Sequence, residues 1–467
     1  MKILYVSHLF LPKSSRGTEI YTFNAASEMK RRGHEVHVLT CESFKTGGRN
    51  EVRAEEDLYC DLKVHRMFLN ARLMDKPARS EYFNPHVEKH LMEYFQKVRP
   101  DVIHAIHFAY LTTAVVTAAQ KLDIPVIFTA TDFWMLCPNS QLLRWNSSLC
   151  DGPTNIADCF RCYTHLAKRG RKYRGVMKLL PDSVLTRLAA IARSGEHKAW
   201  HWQVLQGAAE RARWNLGILN SLDYFIAPSL FLERMFVQNG LTNPHRMHLP
   251  FGLDSGLLNA KSEKSSSADV RFGFIGTISK HKGLHLLIEA LRGIPRSAAA
   301  ILRVYGSWET DPLYGDEIAR LAEGDPRIRF EGTFPHEEIQ EVFRNIDVLV
   351  VPSVWYENTP LVIYTALALR TPVICSNLGG MAEVVSHEKN GLTFEVGNVE
   401  ALRGCLRRFL NEPELGENLR PQRGSVASIE ENIEELIPIY RGVERGKNNP
   451  ASSTPRNLAP ASRGLDE

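Results

Sequence analysis

The chain has 467 residues, of which 44% are hydrophobic and 24% charged, with a formal net charge of +4. That length accommodates two or three domains with sizeable cores, and the composition is that of a folded globular chain, which excludes a low-complexity or fibrous protein. The charge is too small to argue for a nucleic-acid partner, and no apolar run reaches the length of a membrane span.

The opening residues, MKILYVSHLFLP, read as a first strand over residues 2–7 and not as a signal peptide. The chain is therefore expected in the cytoplasm with reduced thiols. A loop with Pro12 and Gly17 follows, Thr18 is placed to cap a helix to about Arg32, and Gly33 closes it. Glu35 to Thr40 alternates as a second strand, so a βαβ unit of Rossmann type opens the chain. Residues 42–80 are polar and predict no regular element. Tyr82 to Val98 predicts a helix, and Asp101 to His104 a strand that leads to a loop with His107. Ile124 to Thr129 predicts a buried strand ending in Ala130-Thr131-Asp132-Phe133-Trp134. Ligands of α/β sheets bind at such strand ends. His104 and His107 are candidates for contact there, with a merely packed or solvated residue as the alternative.

Cys137, Cys150, Cys159 and Cys162 follow with the spacing C-x12-C-x8-C-x2-C. Four thiols in so short a loop, closed by a CxxC, suggest a structural zinc site; free thiols or disulfides are the alternatives. From Lys168 to Leu180 six basic residues stand beside apolar ones, and helices with Trp200, Trp202 and Trp214 come next. This 163–215 insertion is either a peripheral contact for anionic lipid or a solvated helical pair packed through its tryptophans. Leu222 to Pro228 and Arg246 to Pro250 predict the last strands of this half. Residues 256–269, rich in Lys and Ser, read as a linker.

The second half restarts with a strand over Val270 to Ile275. A loop from Gly276 to Lys282-Gly283 and a helix follow. Further strands are predicted at Ile301 to Gly306, Arg327 to Gly332 and Asp347 to Val351, with a helix over His336 to Ile346. After Val351 the chain runs through Pro352, Ser353, Trp355, Tyr356, Glu357 and Asn358. Thr359 is a good N-cap and Pro360 fits the first turn of a helix to about Arg370. The unpaired N–H groups from Asn358 to Leu361 suit an anion such as a phosphate. Glu357 beside them suits hydroxyls, and the two together describe a sugar phosphate. Ile429, Ile433, Leu436, Ile437 and Tyr440 lie at helical spacing, and residues 446–467 read as disordered.

The stretch ENTPLVIYTALALRTPVI, the RGTE loop and the Gly276…Lys282-Gly283 loop together resemble family 4 glycosyltransferases of the GT-B fold. The four-cysteine loop is similar to one found in a subset of that family. The resemblance spans most of residues 1–445, apart from 42–80 and 163–215. It implies an α/β architecture of two Rossmann-like domains facing an interdomain cleft. The expected domains are an N-terminal, acceptor-side domain 1–255, the linker, a donor domain 270–425 and a C-terminal helix 426–445 that crosses back to the first domain.

By the same resemblance the chemistry is sugar transfer, with retention, from a nucleotide-sugar donor to a hydroxyl of a saccharide or lipid-linked acceptor, in cell-surface polysaccharide or glycolipid synthesis. Glu357, Lys282 and Asp132 are the expected catalytic residues. Gly17, Gly276, Gly306, Asn358, Thr359, Leu361 and Thr365 are expected, with Lys282 and Glu357, on the donor. Glu19, His104, His107 and Thr131 are expected on the acceptor side. Thr365 stands where the family has a second Glu, Thr131 where it commonly has His, and Thr277 where many members have Arg. These three departures keep open a nucleotide-sugar-binding protein without transfer activity, and more remotely an epimerase of the same fold. No catalytic metal is implied, because no Asp-x-Asp stands at a strand end.

Overall fold

A computed structural model describes residues 1–75, 78–166, 174–194, 199–260, 263–358 and 360–447. Two compact units emerge, one of residues 1–228, 232–249 and 433 onward, the other of residues 229–231 and 250–432.

In the first unit the strands are β1 (Lys2–Ser7), β2 (Glu35–Ser43), β3 (Val52–Tyr59), β4 (Leu62–Leu69), β5 (Val102–Ala105), β6 (Val126–Thr129), β7 (Tyr224–Ala227) and β8 (Arg246–His248). They form one sheet in the order β3-β4-β2-β1-β5-β6-β7-β8. All pairs are parallel except β3 with β4. The central strands are apolar on both faces, as a sheet covered by helices on both sides requires: β5 and β6 are buried at every residue. The helices of this unit begin with α1 (Gly17–Arg31), α2 (Pro85–Val98) and α3 (Ala114–Lys121). Then come α4 (Ile156–Leu166), α5 (Arg174–Leu179), α6 (Asp182–Arg193), α7 (Trp200–Asn220) and α8 (Leu230–Gln238).

Three expectations are corrected in this unit. Residues 42–80 hold the β3–β4 hairpin. Its turn is Cys60-Asp61 with φ 44° and 63°, the left-handed pair that matches strand twist. The strand escapes a hydrophobic reading because β3 is an edge whose Glu55, Glu56 and Asp57 face solvent. Helix α1 has Arg16, not Thr18, at its N-cap, and Glu19 folds back so that its Oε2 accepts from Arg16 N–H at 3.0 Å. Helix α2 starts after Asn84, whose side chain accepts from the His86 and Val87 N–H groups.

The 163–215 insertion has its own small core, in which Ala157 and Phe160 of α4 meet Leu185 and Ala189 of α6 and Ala209 of α7. Trp214 ties α7 to the sheet domain. Its ring lies 4.9 Å from Phe83, and its N–H donates to Thr113 Oγ1 at 2.9 Å. The basic residues Lys168, Arg169, Arg171 and Lys172 lie outside the described residues.

The second unit has α9 (Ser255–Leu258), then β9 (Val270–Ile275), β10 (Ala300–Tyr305), β11 (Ile328–Gly332), β12 (Val348–Val351), β13 (Val373–Ser376) and β14 (Gly391–Phe394). Every neighbouring pair in its sheet is parallel, and the sheet runs β11-β10-β9-β12-β13-β14. In order of appearance this is 3-2-1-4-5-6, the doubly wound arrangement. Its helices are α10 (Leu284–Arg292), α11 (Pro312–Ala322), α12 (Ile339–Arg344), α13 (Leu361–Ala368), α14 (Met381–Val384), α15 (Val399–Asn411) and α16 (Leu415–Asn418). Strand β12 shows why both faces must be apolar. Val348 and Val350 enter a core with α10, α11 and α15, and Leu349 and Val351 enter another with α12, α13 and α14. The last helix, α17 (Ile429–Lys447), has Ile429–Asn432 in this unit and the rest in the first.

Within residues 256–269, expected as a linker, Lys264 packs against this unit. The Lys264 ammonium donates to the carbonyls of Phe343 (2.9 Å) and Ile346 (2.6 Å) and to Thr371 Oγ1 (2.6 Å), one acceptor for each N–H. Burial pushes that ammonium down to about 8. The tail from residue 448 lies outside the described residues.

Candidate active site

In a doubly wound sheet the connections leave in opposite directions from one pair of neighbouring strands, and a crevice opens at their carboxyl ends. In the second unit that pair is β9 and β12. The loop after β9 carries Lys282, and the loop after β12 carries Glu357. Their side chains meet there, Lys282 Nζ to Glu357 Oε1 at 2.6 Å. The same oxygen accepts from Ser353 Oγ at 2.8 Å and from Trp355 Nε1 at 2.9 Å. Lys282 Nζ also stands 5.3 Å from the Trp355 ring centre. Glu357 is buried, and a quarter of the Lys282 side chain is exposed. The result is a charged pair fixed by neutral donors, with the lysine reachable from solvent.

Glycines bring the two loops this close. Gly283 has φ 74°, and a Cβ there would meet the Pro352 carbonyl at 1.9 Å. Gly306 (φ 157°) would meet the Gly276 carbonyl at the same distance. At Gly276 a Cβ would meet nothing within 4 Å, so that loop faces open space.

Several expected donor-side residues are placed differently. Asn358 is buried, and its Oδ1 accepts from Ser229 Oγ at 2.8 Å, so its side chain braces the loop. Thr365 is also buried, and its hydroxyl donates back to the Leu361 carbonyl of its own helix at 2.9 Å; it is not turned outward to a ribose. The N-cap of α13 is Pro360, with no side-chain cap, and Thr359 lies outside the described residues. Leu361 opens the helix, where first-turn N–H groups have no place in the helical ladder. His281 precedes Lys282 in the same loop. Burial, then Lys282, pushes its imidazole down to about 4, so it is neutral.

In the first unit the equivalent strand pair is β1 and β5. His8 follows β1 and His107 follows β5, and their rings lie 4.1 Å apart. His107 Nδ1 accepts from Ala109 N–H at 3.0 Å, so its Nε2 carries the proton and donates to Asp132 Oδ2 at 2.9 Å. Asp132 Oδ1 accepts from Trp134 N–H at 2.7 Å. Asp132, after β6, is thus a held carboxylate with about a quarter of its side chain exposed. His107 orients it rather than acting as a free base. Thr131 donates to the Ile106 carbonyl at 3.3 Å.

His104 and Glu19 are corrected. His104 is fully buried within β5, between Tyr440 OH on Nδ1 (2.5 Å) and Thr129 Oγ1 on Nε2 (2.7 Å). It anchors α17 to the sheet, with Tyr5 completing the network at 3.0 Å from Tyr440 OH. Glu19 is fully buried as the cap of α1, and burial pushes its carboxyl up. Its Oε1 stands 3.5 Å from His8 Nε2. Gly17 is exposed at the first turn of α1. His8 was missed by the sequence reading, although its place directly after β1 was a usable signal. Burial, His107 and Arg16 hold it well below the usual histidine range, and its buried Nδ1 has no hydrogen-bond partner among the described residues. Ser353 and Trp355 were also missed; both lie in the loop that ends in Glu357.

Residues 15–169 match the model of Glycosyltransferase Family 4, and residues 259–423 that of Glycosyl transferases group 1. The chain belongs to the family 4 glycosyltransferases. Among curated relatives, the teichuronic acid biosynthesis glycosyltransferase TuaC of Bacillus subtilis (strain 168) is 22% identical over 95% of this chain and 99% of its own length. The D-inositol 3-phosphate glycosyltransferase of Corynebacterium urealyticum is 28% identical over 37% of this chain and 42% of its own. Apart from TuaC, the curated relatives just below it match over about a third to a half of their length. Among solved structures, HepE of Anabaena in complex with UDP and glucose superposes with a TM-score of 0.62 at 15% identity, covering 94% of this chain and 98% of that one. Sucrose-phosphate synthase of Thermosynechococcus elongatus gives 0.63 at 18%, covering 95% and 99%. These likenesses show the GT-B fold.

In this family 4 enzyme the loop after Trp134 carries the four cysteines. Cys137, Cys150, Cys159 and Cys162 line one cavity with Pro138, Gly152 and Pro153 among the other walls. All four are free thiols. Burial, then the neighbouring thiols, pushes Cys159 and Cys162 up to about 12. The loop is pinned at Asn239, whose amide donates to the Asp151 carbonyl at 2.8 Å.

Proposed function

We propose that this glycosyltransferase moves a sugar from a nucleotide-sugar donor to a hydroxyl of a saccharide or lipid-linked acceptor, with retention at the anomeric carbon. The Lys282–Glu357 pair at the carboxyl ends of β9 and β12 carries this reading. A lysine aimed at the diphosphate stabilises charge on the leaving group, as do the first-turn N–H groups of α13. Glu357 accepts hydrogen bonds from sugar hydroxyls. Asp132, fixed by His107 and the Trp134 N–H, is the carboxylate placed to receive an acceptor hydroxyl. The UDP and UDP-glucose complexes of HepE support the donor class. The name and full-length match of TuaC support a role in cell-surface polysaccharide or glycolipid synthesis. Exposed Val176 and Leu179 on α5 support peripheral contact with the membrane surface. Among the described residues no helix is long and apolar enough to cross a membrane.

One observation favours a second reading, a binding protein without transfer. Thr365 turns its hydroxyl to its own helix, so the ribose diol lacks the carboxylate that the family places there. Slow hydrolysis of a panel of nucleotide sugars separates the two. One donor is consumed by the wild type, and Lys282→Ala and Glu357→Ala each lower the rate by about a hundredfold or more. Binding without consumption selects the second reading, and a rate unchanged in both variants overturns the proposed site.

A further inference from the structure

The loop from Cys137 to Cys162 is long and short of apolar side chains. Only one antiparallel bridge, Leu143 with Leu149, gives it regular structure before α4. A segment of that composition needs a cross-link or a ligand to hold one conformation. Its four thiols face one cavity from three separate stretches of chain: Cys137 beside the Trp134 turn, Cys150 after the Leu143–Leu149 bridge, and Cys159 and Cys162 one turn apart on α4. Two cysteines three apart on a helix present their sulfurs on one side, as paired metal ligands do. No disulfide joins any of them.

The fit to a metal is a matter of donor set and reach. Among the described residues no three His, Cys, Asp or Glu side chains are already gathered at ligand spacing. Cys137 Sγ is turned to Asn139 Oδ1 at 2.6 Å and Cys150 Sγ to the Gly152 carbonyl at 3.3 Å. A thiol is a weak donor, so these contacts yield to a bond with a metal. All four cysteines nonetheless line one cavity, and none is spent in a disulfide. Arg144, in the cavity wall, supplies positive charge, which it shares with Asp158 at 3.3 Å.

We propose that Cys137, Cys150, Cys159 and Cys162 bind one zinc ion as four thiolates and that this ion sets the conformation of the loop that follows Asp132. Four S–H protons pass to solvent as four Zn–S bonds of about 2.3 Å form, and the centre carries a net charge of −2. Tetrahedral sulfur also suits iron. Zinc is favoured because sugar transfer moves no electrons and needs no redox centre. The site is structural: all four coordination positions are filled by protein, so none is open to substrate.

The test is metal content of the full chain, purified without added metal and washed with a mild chelator. One zinc per chain is expected. Cys159→Ser and Cys162→Ser lower it to near zero, while Cys60→Ser, outside the loop, leaves it at one. Because a serine variant that fails to fold also loses metal, a second measurement uses the wild type alone. Mercurial titration of its thiols releases the zinc in step with four of the eight cysteines. Replacement by Co²⁺ gives the thiolate charge-transfer band and the strong visible bands of a tetrahedral sulfur site. Zinc-free protein with eight titratable thiols, two disulfides in the loop, or iron in place of zinc each overturns the proposal. None of these outcomes bears on donor hydrolysis at Lys282 and Glu357, so the two proposals fail separately.

Discussion

Glu357 Oε1 accepts from Lys282, Ser353 and Trp355, all within 2.9 Å. Ser353 is fully buried and neutral, so removing its hydroxyl leaves the ion pair but loosens the carboxylate. A hydrogen bond to a charged group is worth about 1.5–3 kcal/mol. Ser353→Ala is therefore expected to lower the melting temperature by a few degrees and kcat/KM for the donor by roughly 10-fold or more, measured by a thermal scan and donor hydrolysis. An unchanged kcat/KM would show that Lys282 and Trp355 hold Glu357 unaided. At this scale the sequence was readable where a residue follows a strand end, as Lys282, Glu357 and Asp132 do. It was misleading where a polar residue lies inside a strand: His104 differs from His107 by three positions, yet one is sealed between Tyr440 and Thr129 and the other holds Asp132.

Helix α7 lies in the insertion with no counterpart in the resemblance, yet it reaches the candidate acceptor loop. Arg211 Nη2 donates to the Trp134 carbonyl at 2.5 Å, and its guanidinium stands 4.7 Å from the Trp134 ring centre. Asn215, one turn on, donates to the Met135 carbonyl at 2.9 Å. Both side chains are buried, so α7 is the prop under residues 134–135. Arg211→Met is expected to destabilise the first unit by about 1.5–3 kcal/mol, the range for a hydrogen bond to a charged group, read as a lower urea midpoint. No shift would mean that the loop is held from elsewhere. Elements were legible in proportion to their apolar periodicity. The strands β5, β6, β9 and β12 are mainly apolar and were found. The β3–β4 hairpin was not, because an edge strand rich in Glu and Asp lacks the inward face that periodicity reports. The prop was unreadable for another reason: nothing in the spacing of Arg211 and Trp134 links residues 77 apart.

Across the whole chain several histidines are buried in the neutral form. Burial pushes His104 to about 3, and His65 and His281 to about 4. In the unfolded chain each titrates near 6.5. Below that pH the unfolded state binds protons that the folded state refuses, so stability is complete above about 6.5 and falls as pH drops toward 4. Each such histidine contributes at most about 1.4 kcal/mol per pH unit in that window. Urea midpoints are expected to decline steadily from pH 7 to pH 5, and a flat profile would contradict neutral burial.

The strand order of the second unit has a consequence for how the site comes into being. After β9 the chain lays β10 and β11 to one side before β12 returns to the other flank of β9. Lys282 waits through 75 residues of chain for Glu357. A contact of such sequence separation forms late, since loop closure opposes it until the intervening strands are in place. The Lys282–Glu357 pair is thus among the last features of its unit to assemble. Nascent or half-unfolded chains hold the lysine without its carboxylate, and the closed ion pair reports a finished sheet.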